Sequence, residues 1–461
     1  MKFTPPSQEA AFSQNQTLWP ILCLMALAGV LHFWLTINFS PVVSLLAITG
    51  VAFFFVSFFF PRAGLVLMTL SMLFSPEISV GTVGVRAIAL RLEDFLIPLL
   101  LLAWMMRLSF RKELRLFTSS PLNLPIVLLL GLSVLSTVRG IGAGWALPLP
   151  AALYIFKTAE FFLVFFLVLG FVRTEQEIKL FLGFSLAALA LIGIYTLSQV
   201  PSVEIFTEHR ITAPFEGDPE PGTIGGYMAF LLLILLSLFL YEKRSRMKWI
   251  YGLLGLLVLI PFLYTLNRTS YVALIGGVIF ISFAAKKKWI VFSLFLFLIA
   301  SPFVLPKSVK ERIVFTWEDA RNPGRELGVD SSAQGRIYTF RKMWKTWKQS
   351  PLIGWGVGSF ETPDSQYART LHEIGIIGLG LWLWIFWRLY RISRWLFYDL
   401  EEGTFKGLVL GYWAGLLGIL LHGFGAITFY IVRIMEPFWF MSGLVVSLYL
   451  IKSQKALSVN Q

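Results

Sequence analysis

The sequence is poor in charged residues, cysteine and histidine, and each shortage excludes a class of protein. Only 14% of its 461 residues are Asp, Glu, Lys or Arg, whereas an average soluble domain has about 25%. The single cysteine, Cys23, excludes a disulfide framework and a cysteine-based metal site. The 4 histidines form no metal-ligand spacing with Asp or Glu, and no phosphate-binding loop occurs. We therefore predict no metal and no cofactor.

Long apolar runs are abundant instead. Hydrophobic residues make up 57% of the chain, in blocks of about 16–22 that can cross a hydrocarbon core of ~30 Å as helices. Because lipid offers no hydrogen bonds to the backbone, such blocks are helical. We predict an all-α polytopic membrane protein, a single membrane domain over residues 1–461 with about 14 transmembrane helices. The predicted spans are 19–37, 42–60, 62–76, 93–107, 123–138, 152–172, 178–198, 223–241, 249–266, 270–285, 289–304, 371–388, 406–425 and 432–451.

Clusters of Lys and Arg predict the orientation. The four clusters are Arg107–Arg115, Lys243–Lys248, Lys286–Lys288 and Arg388–Arg394. This count of spans puts all four on one face, which the positive-inside rule makes cytoplasmic. Both termini are then cytoplasmic, and the large loop 305–370 is extracytoplasmic. The rule also explains much of the net charge of +13, so we predict no nucleic-acid partner.

The large loop contains one amphipathic segment, predicted as a helix over 333–349. Ile337, Phe340, Trp344 and Trp347 recur at helical spacing and form one apolar stripe. Lysines occupy its other faces. A helix of this kind lies at the membrane–water boundary in contact with membrane lipid.

Arginines at the predicted outer membrane edge are candidate anion ligands. Arg268 lies between two closely spaced spans, Arg210 lies in an outer loop, and Arg336 lies near the start of the amphipathic helix. Three outward-facing guanidinium groups are able to converge on one anion and bind phosphate oxygens in a bidentate manner. The alternatives for each are interfacial anchoring and a structural ion pair.

Three titratable residues are candidates for proton transfer. A carboxylate near an arginine cluster, such as Asp364 or Glu373, is able to accept a proton from an attacking hydroxyl. The alternative for Asp364 is an N-cap of the helix that follows. His372 is the third candidate, and its alternative is a satisfied interfacial histidine.

Other charged residues lie within or beside spans. Lys157 with Glu160, and Arg433 with Glu436, have i,i+3 spacing, so each pair is able to neutralise itself on one helix face. Structural pairing is the favoured interpretation of both.

Two segments carry a resemblance to a known family. They are GRIYTFRKMWKTWKQSPLIGWGVGSF from Gly335 to Phe360 and DSQYARTLHEIGIIG from Asp364 to Gly378. In these segments, in Arg268 at a span start and in the loop around Arg210, the chain resembles the O-antigen polymerase/O-antigen ligase superfamily of bacterial envelope glycosyltransferases.

The resemblance implies a GT-C-like fold with the active site on the extracytoplasmic face of the bacterial cytoplasmic (inner) membrane. It implies an undecaprenyl-diphosphate-linked oligosaccharide as donor and metal-independent transfer with inversion. Arg210 and Arg268 are then diphosphate ligands, which Arg336 joins, and Asp364 is the catalytic base. Ligases of the family have a histidine where this chain has Asp364, and this difference favours a polymerase of exopolysaccharide or O-antigen type.

Alternatives to polymerisation stay open. An O-antigen ligase moves the glycan to lipid A or to protein. A lipid-linked glycan flippase or transporter also needs many spans and buried cations, although we find no internal repeat of the kind that transporters often show. A scaffold for envelope assembly explains the hydrophobicity but not the arginines. A chain-length regulator is a further partner that the sequence neither requires nor excludes.

Overall fold

The computed structural model describes residues 41–83, 86–110, 118–202, 210–216, 220–304, 309–311, 314–315, 331–360 and 365–459. Helices dominate this part of the chain. They are α1 (Pro41–Phe59), α2 (Pro61–Phe74), α3 (Glu93–Phe110), α4 (Asn123–Gly142), α5 (Pro148–Phe171), α6 (Glu175–Gln199), α7 (Pro221–Tyr241), α8 (Ser245–Tyr264), α9 (Arg268–Ala284), α10 (Lys288–Val304), α11 (Ser331–Trp347), α12 (Gln366–Asp399), α13 (Thr404–His422) and α14 (Val432–Val459).

Eight of the described helices are long and apolar enough to cross a membrane, namely α4 to α8 and α12 to α14. Four shorter apolar helices accompany them: α1, α2, α9 and α10. The predicted all-α polytopic class is confirmed, and this is a multi-pass membrane protein. A helix coincides with each predicted span from 42–60 onward. The first predicted span, 19–37, lies outside the described residues.

A β-hairpin joins α2 to α3. Its strands are β1 (Glu77–Val83) and β2 (Arg86–Arg91), which pair antiparallel with Glu77 opposite Arg91. The register is irregular between Ser79 and Gly81. The sequences EISVGTV and RAIALR contain several of the β-branched residues that strands prefer. This segment lies between the predicted spans 62–76 and 93–107, and its pairing was not predicted.

The chain divides into two compact units. One comprises Met1–Gly64 and Pro98–Glu113, and the other comprises Leu65–Ile97 and Leu114–Gln461. Within the first unit, Arg107 donates hydrogen bonds to the carbonyl oxygens of Phe58 at 2.8 Å and Phe59 at 3.1 Å. The second unit contains every candidate site residue.

Helix α7 is the most buried membrane-length helix of the second unit, since 83% of an 18-residue apolar stretch within it is buried. Helix α13 approaches it through Gly407, Gly411 and Gly415. A Cβ at Gly411 would lie 2.4 Å from the Cα of Ile234, and one at Gly415 would lie 2.5 Å from the Phe230 ring. Glycines four residues apart therefore allow the two helices to approach closely, as small residues do between membrane helices.

Helix α11 begins and ends two residues before the predicted bounds of 333–349. Met343 is 3% exposed and packs against Phe360 and Ala368. Phe340 and Trp344 of the predicted stripe are exposed. The helix thus has one face on the protein and an aromatic face away from it, which is the arrangement that an interfacial helix requires.

Candidate active site

Helix α12 is interrupted at Gly375. The backbone there has φ 67° and ψ −167°, so two helical segments meet at this residue. A Cβ at this position would lie 2.2 Å from the carbonyl oxygen of Leu352. The positive φ and the close approach together require glycine.

The loop 350–358 fills the interruption with its own backbone. On one side, the N–H groups of Ile376 and Ile377 donate to loop carbonyl oxygens at 2.9 and 3.2 Å. On the other side, two loop N–H groups donate to the carbonyl oxygens of His372 and Glu373, both at 2.9 Å. The backbone groups that the break frees are therefore satisfied, as a helix at membrane depth requires.

Three glycines shape this loop. Gly354, Gly356 and Gly358 have φ of 70°, 96° and 79°, a region that residues with a Cβ rarely adopt. A Cβ at Gly354 would also lie 2.4 Å from the carbonyl carbon of Glu373. The close docking of this Gly-rich turn on α12 explains the glycines.

Helix α4 holds the loop and α12 together. The Ser136 hydroxyl donates to the carbonyl oxygen of Glu373 at 2.7 Å and accepts from the N–H of Gly356 at 3.0 Å. The Thr137 hydroxyl accepts from the N–H of Val357 at 3.0 Å. Both hydroxyls therefore form hydrogen bonds with backbone groups that lie more than two hundred residues away in the sequence.

The carboxylate of Glu373 is buried beneath the loop. It accepts hydrogen bonds from Arg369 Nε, from the N–H of Gly358 and from the Tyr430 hydroxyl, each at 2.9 Å. The Arg369 guanidinium, which is also buried, lies 3.8 Å from the ring centre of Tyr430 and 4.5 Å from that of Tyr154. This ion pair is enclosed between two aromatic rings.

These contacts favour a structural role for Glu373 over proton transfer. Burial, and after it the Glu373 charge, raise the pKa of Tyr430 well above its ordinary value, so the phenol stays a hydrogen-bond donor. The carboxylate is thus held by three fixed donors and is 0% exposed. An acceptor hydroxyl would have to replace one of these donors.

His372 is buried, with 2% of its surface exposed. Its Nδ1 lies 2.8 Å from the Thr346 hydroxyl of α11, and its ring centre lies 4.6 Å from that of Phe360. Its Nε2 has no hydrogen-bond partner among the described residues. The contact between His372 and Thr346 joins α11 to α12.

Arg336 and the end of α9 that begins at Arg268 converge at Gly425. A Cβ at Gly425 would lie 3.1 Å from the Arg336 guanidinium carbon and 2.9 Å from the hydroxyl oxygen of Thr269, the residue after Arg268. Both arginine side chains are half-buried. The structure therefore brings the segments of two predicted diphosphate ligands together.

Gly425 belongs to the connection between α13 and α14, called here the 423–431 loop. His422, just before it, lies 3.3 Å from the Ser270 hydroxyl through Nε2 and 2.8 Å from the Thr428 hydroxyl through Nδ1. The N–H of Gln366, the first residue of α12, donates to two carbonyl oxygens of the loop at 2.9 and 3.1 Å. The loop thus joins the starts of α9 and α12.

The remaining predicted site residues are Arg210 and Asp364. Arg210 is exposed, and no contact joins it to Arg268 or Arg336 among the described residues. Asp364 lies outside the described residues. Helix α12 has Ser365 at its N-cap position, one residue later than the N-cap interpretation of Asp364 predicts.

One of the two predicted i,i+3 pairs is observed. Lys157 lies 3.3 Å from Glu160 and also contacts Asp94, so this pair is confirmed. Arg433 donates to backbone carbonyl oxygens and lies 3.9 Å from Glu216. The carboxylate of Glu436 accepts no hydrogen bond from the described part of the chain, and its pairing with Arg433 stays a prediction. Within that part, no group of His, Cys, Asp and Glu is suited to hold a metal ion.

The sequence analysis missed several residues that shape the site. Arg369 had a readable signal, because it precedes Glu373 by four residues on one helix face. Ser136, Gly375, His422 and Gly425 had none, since each acts on a segment that is distant in the chain.

The comparison with protein families agrees with this architecture. Residues 253–383 match the family described as O-Antigen ligase. The match includes Arg268, Arg336, the 350–358 loop and the interruption of α12, whereas Arg210 and the 423–431 loop lie outside it. No curated protein matches the chain. This match covers segments that carry the resemblance seen in the sequence, and it supports the similarity of the chain to the O-antigen ligase/polymerase superfamily.

Proposed function

We propose that this chain is a membrane glycosyltransferase that polymerises oligosaccharide units carried on undecaprenyl diphosphate, at the extracytoplasmic face of the bacterial inner membrane. The meeting of three segments at the 423–431 loop carries the proposal. Two of them contribute Arg268 and Arg336. The third begins at Gln366, two residues after Asp364 in the chain. The segments of two cations thus meet the start of α12, which the candidate base Asp364 precedes in the chain.

In this proposal the arginines bind the diphosphate of the donor. Arg268 and Arg336 donate to phosphate oxygens, and Arg210 from the segment 210–216 adds a third positive charge. Negative charge grows on the diphosphate as it leaves, and fixed cations in a partly dry site stabilise that charge. The diphosphate ester already carries the activation, so the proposal assigns no role to ATP or to a metal.

The proposed step is a single displacement. The oxygen of the acceptor hydroxyl forms a bond to the anomeric carbon from the side opposite the diphosphate, so the configuration inverts. The bond between that carbon and the diphosphate oxygen breaks, and its electron pair leaves with undecaprenyl diphosphate. The hydroxyl proton passes to Asp364.

Purified protein with lipid-linked oligosaccharide tests the proposal. Wild-type protein should lengthen the glycan on its lipid, and Asp364→Asn should not. Arg268→Ala should lose activity, and Arg268→Lys should recover little of it because lysine lacks the planar fork. Arg246→Ala is the matched control, since Arg246 is exposed at the start of α8. Wild-type elongation by Asp364→Asn or by Arg268→Ala would contradict the proposed roles.

Ligation is the second candidate, and the description of the matched family favours it. The same assay separates the two reactions when lipid A and an acceptor protein are added. Transfer of glycan to either acceptor indicates a ligase, whereas longer glycan on the original lipid indicates a polymerase.

Transport has one observation in its favour, because transporters often contain interrupted membrane helices. In transporters the freed backbone groups line a substrate or ion site. Here the loop 350–358 occupies the interruption at Gly375 and satisfies those groups. Lipid-linked glycan that crosses a liposome without bond changes would nevertheless indicate a flippase.

A further inference from the structure

We infer that Gly425 is a positioning residue for the proposed diphosphate site and acts through Arg336. This inference rests on the proposed function, since it assumes that the Arg336 guanidinium binds diphosphate. Gly425 lies outside the residues that match the family, and the sequence around it, HGFGAITFY, contains no charge apart from a titratable histidine.

The packing at Gly425 defines where the guanidinium sits. The space that a Cβ would need is already occupied by Arg336 atoms at 3.1 Å and by the Thr269 hydroxyl at 2.9 Å. The absence of a side chain at Gly425 therefore lets the Arg336 guanidinium lie near Thr269 in the first turn of α9, which begins at Arg268. Two guanidinium groups that bind one diphosphate need this proximity.

The loop backbone is fixed well enough to act as a wall. His422 contacts both Ser270 and Thr428, and the side-chain oxygen of Gln366 accepts from the N–H of Phe429 at 2.9 Å. Because the loop backbone is anchored on both sides of Gly425, it does not shift to make room for an added methyl group. The adaptable partner is the end of the long Arg336 side chain.

This asymmetry predicts what a methyl group does at position 425. Gly425 is not among the glycines with positive φ, so alanine fits its backbone conformation without strain. The collision is relieved by shifts of the Thr269 hydroxyl and of the Arg336 guanidinium, which belong to the two segments that carry the proposed ligands Arg268 and Arg336. Gly425→Ala should consequently retain the fold and change donor binding.

The matched control lies two residues earlier in the same loop. A Cβ at Gly423 meets only ordinary contacts, the nearest being the Gln366 Cβ at 3.4 Å. Gly423→Ala therefore adds the same methyl group to the same loop without touching Arg336.

The experiment compares wild type, Gly423→Ala, Gly425→Ala, Arg336→Ala and the double variant Gly425→Ala/Arg336→Ala. The measurements are thermal stability, kcat and KM for lipid-linked oligosaccharide, and the inhibition constant of inorganic pyrophosphate. Gly425→Ala should raise the donor KM and the pyrophosphate constant by about tenfold or more, since a hydrogen bond to a charged group contributes on this order. Its thermal stability should stay close to that of wild type.

The double variant tests whether the two residues act together. It should be no worse than Arg336→Ala, because both changes affect one guanidinium. If Gly425→Ala alone fails to fold, the variant Gly425→Ala/Thr269→Ala/Arg336→Ala should restore folding, because it removes both side-chain contacts of the added methyl group. A triple variant that stays unfolded, or additive losses in a folded double variant, would overturn the inference.

Two further outcomes separate this inference from the proposed function. Wild-type donor KM in Gly425→Ala, alongside an impaired Arg336→Ala, overturns the positioning role and leaves the proposed function intact. Wild-type activity in Arg336→Ala removes Arg336 from the diphosphate site and overturns both the inference and that part of the proposal.

Discussion

Removal of the Glu373 carboxylate should be among the most damaging single changes in the second unit. Glu373→Ala leaves the Arg369 guanidinium, 2% exposed, without its charged partner. Breaking a buried ion pair by removing one partner costs about 3–5 kcal/mol. The N–H of Gly358 and the Tyr430 hydroxyl also lose their acceptor, which adds about 1–3 kcal/mol for a buried donor left unsatisfied.

Companion variants separate the effect of the Glu373 charge from the effect of its hydrogen bonds. Glu373→Gln keeps an acceptor oxygen in a side chain of similar size, so it should lie between wild type and Glu373→Ala. The double variant Arg369→Met/Glu373→Met removes both charges and should cost less than the sum of its single changes. Glu401→Ala is the control, because Glu401 is exposed and a surface change of this kind stays within about 0.5 kcal/mol.

The assay is the fraction of monodisperse protein that survives heating in detergent, measured for all variants at matched concentration. The expected order of stability is wild type with Glu401→Ala, then Glu373→Gln, then Glu373→Ala. Equal survival of Glu373→Ala and Glu401→Ala would refute the reasoning that a buried charge is left unpaired. Fully additive losses in the methionine series would refute the coupling between Arg369 and Glu373.

Two further predictions concern the backbone and pH. Gly375→Ala should abolish folded protein, because its Cβ would meet the Leu352 carbonyl oxygen at 2.2 Å at a positive φ. The control Gly380→Ala lies on the same helix, meets open space and should express normally. Equal yields of folded protein from the two variants would contradict the structural role of the interruption. Burial alone raises the pKa of Glu242, but hydrogen bonds led by that from Thr404 outweigh it and lower the pKa from 4.5. The contribution of Glu242 to stability is therefore present above pH 4.5 and is lost as pH falls through the folded-state value. Glu242→Gln should flatten this acid-side loss of thermal stability, and an unchanged pH profile would count against the hydrogen bonds.

Much of the membrane architecture could be predicted from sequence because lipid leaves the chain few alternatives. An apolar block of sufficient length has to form a helix in hydrocarbon, and the described helices other than α11 coincide with such blocks. The position of Arg268 was also readable, since a charge between two closely spaced spans is unusual. The amphipathic period likewise located α11 to within two residues at either end.

The interruption of α12 could not be predicted, because nothing local requires it. The sequence HEIGIIGLG is compatible with a continuous membrane helix. The break exists because the 350–358 loop supplies donors and acceptors on both sides of Gly375. The glycines at 354, 356 and 358 indicated a tight turn, but a turn signal does not identify the element on which the turn docks.

The 423–431 loop was missed for a different reason. Charged side chains in polar segments are visible in a sequence. This loop instead acts through the lack of a side chain at Gly425 and through backbone carbonyl oxygens. A residue that functions by leaving room for another residue has no chemical signature of its own. Its role becomes visible once the position of the Arg336 guanidinium is known.

The site therefore separates into a framework and a set of reacting groups. Buried groups such as Glu373 and Ser136 hold loop 350–358, α4 and α12 together, whereas Arg268 and Arg336 are half-buried at helix starts. Changes in the framework should reduce the amount of folded protein while the activity of each folded molecule stays the same. Changes in the arginines should reduce the activity of each molecule at normal yield. Gly425 belongs with the arginines by this criterion, although it carries no functional group.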